Sequence, residues 1–159
     1  MSGVLDFDLK DFSSMEQTIR ALGGVPKKCV GPAARKGATQ LKRVVKSSGL
    51  VPVRTGALRK GIKLRPEKSP RGKCKKVYEV TFLSEMNDVF VKLTKGGVRY
   101  YYPASQEYGF KTRNGGRVGG RYFLKKAADG NESVIQQIML AKLSEELVKA
   151  WEKKQEAKT

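Results

Sequence analysis

The residues best suited to chemistry lie in a glycine-rich segment, residues 115–121, with the sequence Gly-Gly-Arg-Val-Gly-Gly-Arg. Successive glycine amides can form a concave nest for an anion, and arginine adds charge-assisted hydrogen bonds. The same composition is typical of a mobile surface loop, or of a loop that orders against a neighbouring subunit. The cations in this segment and just before it are candidate contacts to a subunit or to DNA: Lys111, Arg113, Arg117 and Arg121.

Groups that support catalysis or metal binding are scarce. The chain contains no histidine, which excludes Ser–His and Cys–His pairs and the usual zinc sites, and it has no phosphate-binding GxxxxGK[ST] loop. Cys29 and Cys74 lie far apart, so we expect two reduced thiols. Glu79, Glu85 and Asp88 fit solvated positions better than a metal site. We therefore predict no enzymatic activity, no catalytic residue, no metal and no cofactor.

The charge balance points to an anionic partner. Lys and Arg number 33 and Asp and Glu number 15, which gives a net charge of +18 in 159 residues. Such a chain attracts nucleic acid, an acidic protein surface or an anionic membrane, although a basic surface can also serve solubility alone. No apolar run reaches the roughly 18–20 residues of a membrane span, and the first residues do not resemble a secretory signal. We expect a soluble protein that is made in a cytoplasm and has no membrane partner.

Two helices are predicted in the first third of the chain. In residues 7–22, apolar side chains recur at steps of three and four, and Gly23-Gly24 supplies the end. A second amphipathic helix is expected over residues 28–48, with a break near Pro32 as an option. Its polar face carries Lys42, Arg43 and Lys46, which are candidate contacts to a subunit or to DNA, although such a face is more often solvated.

The remainder predicts an α+β layout with a small antiparallel sheet of three or four strands. β-Branched and aromatic runs place the strands within residues 60–102, and tyrosines 100–102 fit packing better than base stacking. Residues 110–121 are expected to be a flexible basic loop. A long helix is predicted over residues 132–152, and residues 155–159 form a frayed tail. We expect one domain over residues 1–154.

Three segments occur in an order that resembles a known family. The first, Val-Pro-Val-Arg-Thr-Gly-Ala-Leu-Arg-Lys at 51–60, follows a long helix. The second is Tyr-Pro-Ala-Ser-Gln-Glu-Tyr-Gly at 102–109, and the third is Arg-Tyr-Phe-Leu-Lys-Lys-Ala at 121–127, before the last helix. The pattern is similar to that of tailed-bacteriophage proteins that complete the tail or join the head to the tail.

The resemblance implies a structural protein of the virion neck, at the head-proximal end of the tail, made in the host bacterial cytoplasm. It implies a homo-oligomeric ring, for which a hexamer is common, between connector or head-completion proteins and tail-tube or tail-terminator proteins. Contact with packaged DNA is an option, and a free basic nucleic-acid-binding protein is the alternative. The motif positions that the resemblance assigns a structural role are Pro52, Thr55, Gly56, Leu58, Glu107, Gly109, Phe123, Leu124 and Ala127. For Glu107 we hypothesise an ion pair across a subunit boundary.

Overall fold

The computed structural model of this chain describes residues 17–68 and 74–157. These residues are mixed helix and strand, 57% helical and 16% strand, with a long C-terminal helix. They group into two compact units. Among the described residues, the first unit comprises 17–37, 67–68, 74–77 and 136–157, and the second comprises 38–66 and 78–135. Among the described helices, none is long and apolar enough to cross a membrane.

The first unit is helical. Helix α1 covers residues 17–22, and the remainder of its predicted range, residues 7–16, lies outside the described residues. The amide of Gly24 donates to Ile19 O and that of Gly23 to Arg20 O, which is the paired arrangement that ends a helix at a glycine. Gly23 has a φ of 73°, a conformation that glycine adopts without strain.

Helix α2 (Lys27–Ser47) supplies residues to both units, as does the last helix, α7 (Glu132–Glu156). Helix α2 runs through Pro32 without the optional break. Helix α7 extends beyond its predicted end at residue 152, so residues 155 and 156 are helical rather than frayed. Lys142 pairs with Glu146 at 3.0 Å, and hydrogen bonds from Lys149 and Lys142 lower the pKa of Glu145 to about 2. Such pairs one turn apart stabilise an exposed helix.

The core of the first unit is small. Cys29, Leu147 and Ala150 are buried there, and Ile19, Leu22, Val25 and Leu143 pack against them. The Cys29 thiol donates to Glu146 O, and burial raises the pKa of this thiol. Cys74 is exposed and donates to Val25 O. Both cysteines are free, and the buried one has the character of an inert packing residue.

The predicted sheet of three or four strands is wrong, because the second unit holds three separate two-stranded antiparallel sheets. Their strands pair in chain order: β1 (Ile62–Pro66) with β2 (Tyr78–Phe82), β3 (Val91–Leu93) with β4 (Arg99–Tyr101), and β5 (Gly109–Lys111) with β6 (Arg117–Gly119). The prediction of a flexible loop over residues 110–121 is also wrong, because strands β5 and β6 form a β-hairpin there.

Short helices prevent the strands from joining in one sheet. A 3-10 turn (Ser84–Met86) and helix α4 (Asn87–Phe90) stand between β2 and β3, and helix α5 (Tyr102–Tyr108) follows β4 directly. Phe90, expected within a strand, ends α4 and is fully buried. The centroid of its ring lies 5.8 Å from that of Phe82 and 6.4 Å from that of Tyr101, and both pairs meet edge-on. Burial of this large ring outweighs the strand preference of the surrounding sequence.

The core of the second unit joins its helices. Helix α3 (Ala57–Gly61) buries Leu58, and helix α6 (Phe123–Asp129) buries Phe123 and Ala127. These side chains form one cluster with Phe90 and with Val45, Val51 and Ile62. The cluster therefore brings together residues from positions 45 to 127, and it positions the segments described next.

Candidate functional site

The first family-like segment anchors itself through its two ends. Val51 and Leu58 are buried in the core of the second unit, with 1% of each side chain exposed. Between them, Gly56 has a φ of 68° and starts helix α3 in a left-handed conformation. Thr55 Oγ1 accepts a hydrogen bond from the amide of Ala57 at 3.4 Å. These contacts leave Pro52, Arg54 and Thr55 on an accessible turn.

Glu107 joins the second segment to the third. Its side chain is 3% exposed, and its carboxylate accepts hydrogen bonds from the amides of Leu124 at 3.0 Å and Lys125 at 3.1 Å. Those amides lie in the first turn of α6. The residue at the start of this helix, Tyr122, makes no side-chain hydrogen bond that would cap it. A carboxylate at a helix N-terminus satisfies unpaired donors and complements the helix dipole.

The hypothesis that Glu107 pairs across a subunit boundary is therefore wrong. Both carboxylate oxygens are engaged within the chain, and the residue is buried rather than presented at the surface. The connection is reinforced by the backbone, because Glu107 O accepts from Tyr122 N at 3.0 Å and Gln106 O accepts from Arg121 N at 2.9 Å. The second and third segments form one junction.

Two glycines permit the close backbone approach at this junction. Gly109 has a φ of 82°, and a Cβ there would collide with the backbone of Val118, Gly119 and Gly120. A Cβ at Gly120 would collide with Glu107 O and with the backbone of Tyr108. Gly109 thus has a direct steric role, and so has Gly120, which the sequence placed only in a candidate anion-binding segment.

An open cleft of about 720 Å³ in the second unit brings the three segments together. The first segment contributes Pro52, Arg54, Thr55 and Ala57; the second contributes Tyr102 and Gln106; the third contributes Arg121. The remaining lining residues are Asp88, Val89, Lys92 and Tyr100, none of which the sequence predicted as a site residue. Their signal was absent from the local pattern, because they come from a short helix and two short strands that meet only in the fold.

The predicted cationic contacts occupy three places. Arg121 lines the cleft, whereas Lys111, Arg113 and Arg117 lie on the β5–β6 hairpin and are exposed. Lys111 is directly opposite Arg117 in the hairpin register. Lys42, Arg43 and Lys46 follow one face of α2, where they line a shallow depression of about 490 Å³ with Thr39 and Ser47. The sequence thus grouped Arg121 with residues that the structure places on another element.

The acidic residues noted in the sequence act separately. Glu79 pairs with Arg65 across β1 and β2, and Glu85 pairs with Lys63 at 3.5 Å. Asp88 lines the cleft. Within residues 17–68 and 74–157, no group of three or more Cys, Asp or Glu side chains is arranged to hold a metal ion.

The adjacent tyrosines have different surroundings. Tyr101 meets Phe90 in the core, and burial raises the pKa of its hydroxyl. Tyr100 and Tyr102 line the cleft, and Tyr100 meets Phe110 edge-on at 6.0 Å. The packing prediction therefore describes Tyr101 and Tyr102, which both pack against the core of the second unit. Tyr102 and Tyr100 also present aromatic surface to the cleft. No family model, curated protein or solved structure matches this chain.

Proposed function

We propose that this protein is a structural component of a tailed-phage virion that completes the tail or joins head to tail within a ring at the neck. The observation that carries the proposal is the meeting of the three family-like segments. Glu107 of the second segment caps the helix of the third, and residues of all three line one cleft. A chance resemblance spread over more than seventy residues gives no reason for those segments to meet.

The proposed ring consists of identical subunits, with a hexamer as the size that the family resemblance suggests. Its neighbours are connector or head-completion proteins on one side and tail-tube or tail-terminator proteins on the other. The accessible cleft and the exposed β5–β6 hairpin offer surfaces for such contacts. The basic residues of α2 and of the hairpin supply charge for packaged DNA or for acidic neighbours.

A free nucleic-acid-binding protein remains the second proposal, and a specific observation favours it. Lys42, Arg43 and Lys46 line one continuous depression on α2, with Arg43 exposed and the two lysines half-buried. Cations along one helix face suit a run of phosphates. The arrangement does not account for the meeting of the three family-like segments, so we place this proposal second.

Localisation in purified virions tests the first proposal. We expect gold-labelled antibody against a tagged copy to mark the neck, and light scattering of the pure protein to report a closed ring under assembly conditions. Untagged virions are the control for non-specific labelling. Absence from virions, together with a monomer that binds nucleic acid with a steep salt dependence, would overturn this proposal in favour of the second.

A further inference from the structure

The cleft of the second unit carries an unbalanced positive charge. Arg54, Lys92 and Arg121 line it beside one acid, Asp88. Within the described ranges, no salt bridge joins any of the three cations to an acid. All three side chains are exposed, so their charges are available to an incoming ligand. The cleft is therefore suited to an anionic partner.

The walls of the cleft narrow the class of that partner. Pro52, Val89, Tyr100 and Tyr102 provide apolar and aromatic surface between the charges. A bare phosphate or a DNA duplex leaves such surface uncovered. A peptide that alternates acidic with apolar side chains uses both features, because its carboxylates meet the cations while its apolar groups cover the tyrosines. The volume of about 720 Å³ lies in the range of roughly 300–1,000 Å³ that is usual for ligand sites, and it suits a short peptide.

A segment of this same chain has that chemistry. Residues 4–12 read Val-Leu-Asp-Phe-Asp-Leu-Lys-Asp-Phe, with Asp6, Asp8 and Asp11 against the single cation Lys10. The acids alternate with Leu5, Phe7 and Leu9. This acidic segment, residues 4–12, lies outside the described residues, and it stands out in a chain of net charge +18. The cleft and the acidic segment are complementary in charge and in apolar character.

We propose that the acidic segment of one copy binds in the cleft of a neighbouring copy, with Asp6 and Asp8 paired to Arg54 and Arg121. The inference rests on the proposed ring, because a contact between two different surfaces of identical subunits is the kind that closes a ring. It also explains why the positive charge of the cleft has no partner of its own among the described residues. The cleft is then a subunit-joining site rather than a substrate site.

Binding of a synthetic peptide to the full-length protein tests the cleft directly. We expect a labelled peptide of residues 1–16 to bind by fluorescence anisotropy, and the Arg54→Glu/Arg121→Glu variant to bind it at least about tenfold more weakly. The control is Lys95→Glu/Lys153→Glu, which changes the charge equally at exposed positions outside the cleft. A peptide with Asp6→Lys and Asp8→Lys should bind more tightly to the Arg54→Glu/Arg121→Glu protein than to the wild-type protein.

Self-association of the full chain completes the test. We expect Asp6→Lys/Asp8→Lys to lower the oligomer mass in light scattering, and its combination with Arg54→Glu/Arg121→Glu to restore it. Equal peptide binding by the cleft and control variants would overturn the inference and leave the ring proposal standing. Displacement of the peptide by a single-stranded oligonucleotide of 16 nucleotides would also overturn the inference. So would the finding that residues 4–12 bind the cleft of their own chain rather than that of a neighbouring copy. A chain absent from virions that still binds the peptide would count against the neck proposal alone.

Discussion

At the scale of single residues, Glu107 determines how the second and third family-like segments meet. Its carboxylate is buried, and its partners are two backbone amides of α6 rather than a cation. The usual capping residues, Ser, Thr, Asp and Asn, are missing from the position before α6, which is Tyr122. Glu107, which lies 17 positions before Leu124, supplies the missing acceptor. Glu107 is therefore a folding determinant of the junction.

We expect Glu107→Gln to lower the free energy of unfolding by about 1–3 kcal/mol, because one of two acceptor oxygens becomes a donor facing a buried amide. Urea denaturation measures the change. Glu152→Gln, an exposed position on α7, is the control and should have little effect. Equal unfolding midpoints for the two variants would show that the carboxylate does not hold the junction.

Neighbouring glycines provide a matched pair for the backbone contact at the junction. A Cβ at Gly120 meets Glu107 O and the Tyr108 backbone, whereas a Cβ at Gly119 meets no atom within 4 Å. We expect Gly120→Ala to cost about 1–3 kcal/mol or more and Gly119→Ala to stay within about 0.5 kcal/mol. Thermal unfolding compares them under identical conditions. A similar cost at both positions would indicate that chain entropy, rather than the close approach, governs this region.

The sequence identified the motif residues better than it identified their partners. Leu58, Phe123 and Ala127 were expected as structural positions and are buried in one cluster. The role of Glu107 was mistaken because its partners lie 17 and 18 residues away and no local pattern encodes that contact. The sequence did hold one clue to this contact. The position before α6 lacks a capping residue, so the first amides of the helix need an acceptor from elsewhere.

At the scale of elements, periodicity predicted the long helices and failed on the short strands. Helix α2 (Lys27–Ser47) differs from its predicted range by one residue at each end. In contrast, the apolar run at residues 89–93 divides between helix α4 and strand β3. Strands of three to five residues carry too little pattern to separate one sheet from three, because pairing depends on the turns and helices between them.

The β5–β6 hairpin places two like charges opposite each other. Lys111 and Arg117 face each other directly, which is unfavourable in an isolated hairpin. We expect Lys111→Gln/Arg117→Gln to stabilise the hairpin while reducing the salt dependence of duplex DNA binding, by roughly 0.9 in the log–log slope per lost phosphate contact. Fluorescence anisotropy at several salt concentrations measures the slope.

Two exposed lysines away from the hairpin serve as the control for that measurement. Lys75→Gln/Lys153→Gln removes the same charge and should leave the slope near that of the wild type. If both variants change the slope equally, the hairpin has no special contact with phosphate. An acidic protein neighbour would then be the better explanation for the pair of like charges.

At the scale of the whole molecule, the question is whether the two compact units unfold together. Each has a buried cluster of its own, centred on Leu147 in the first and on Phe90 and Phe123 in the second. Helices α2 and α7 each supply residues to both units. Helix α2 carries Cys29 of the first cluster and Val45 of the second, so its loss removes residues from both clusters. This shared dependence favours one cooperative transition.

We expect Leu58→Ala, a cavity in the core of the second unit, to destabilise the protein by about 2–5 kcal/mol. If unfolding is cooperative, Trp151 fluorescence should report the same lowered midpoint as far-UV circular dichroism, although Trp151 belongs to the first unit. Leu93→Ala is the control, because that side chain is 71% exposed and its loss should leave both midpoints unchanged. An unfolding midpoint from Trp151 fluorescence that is unchanged by Leu58→Ala but lowered by Leu147→Ala would show that the two units unfold independently. That result would contradict the single domain expected from the sequence.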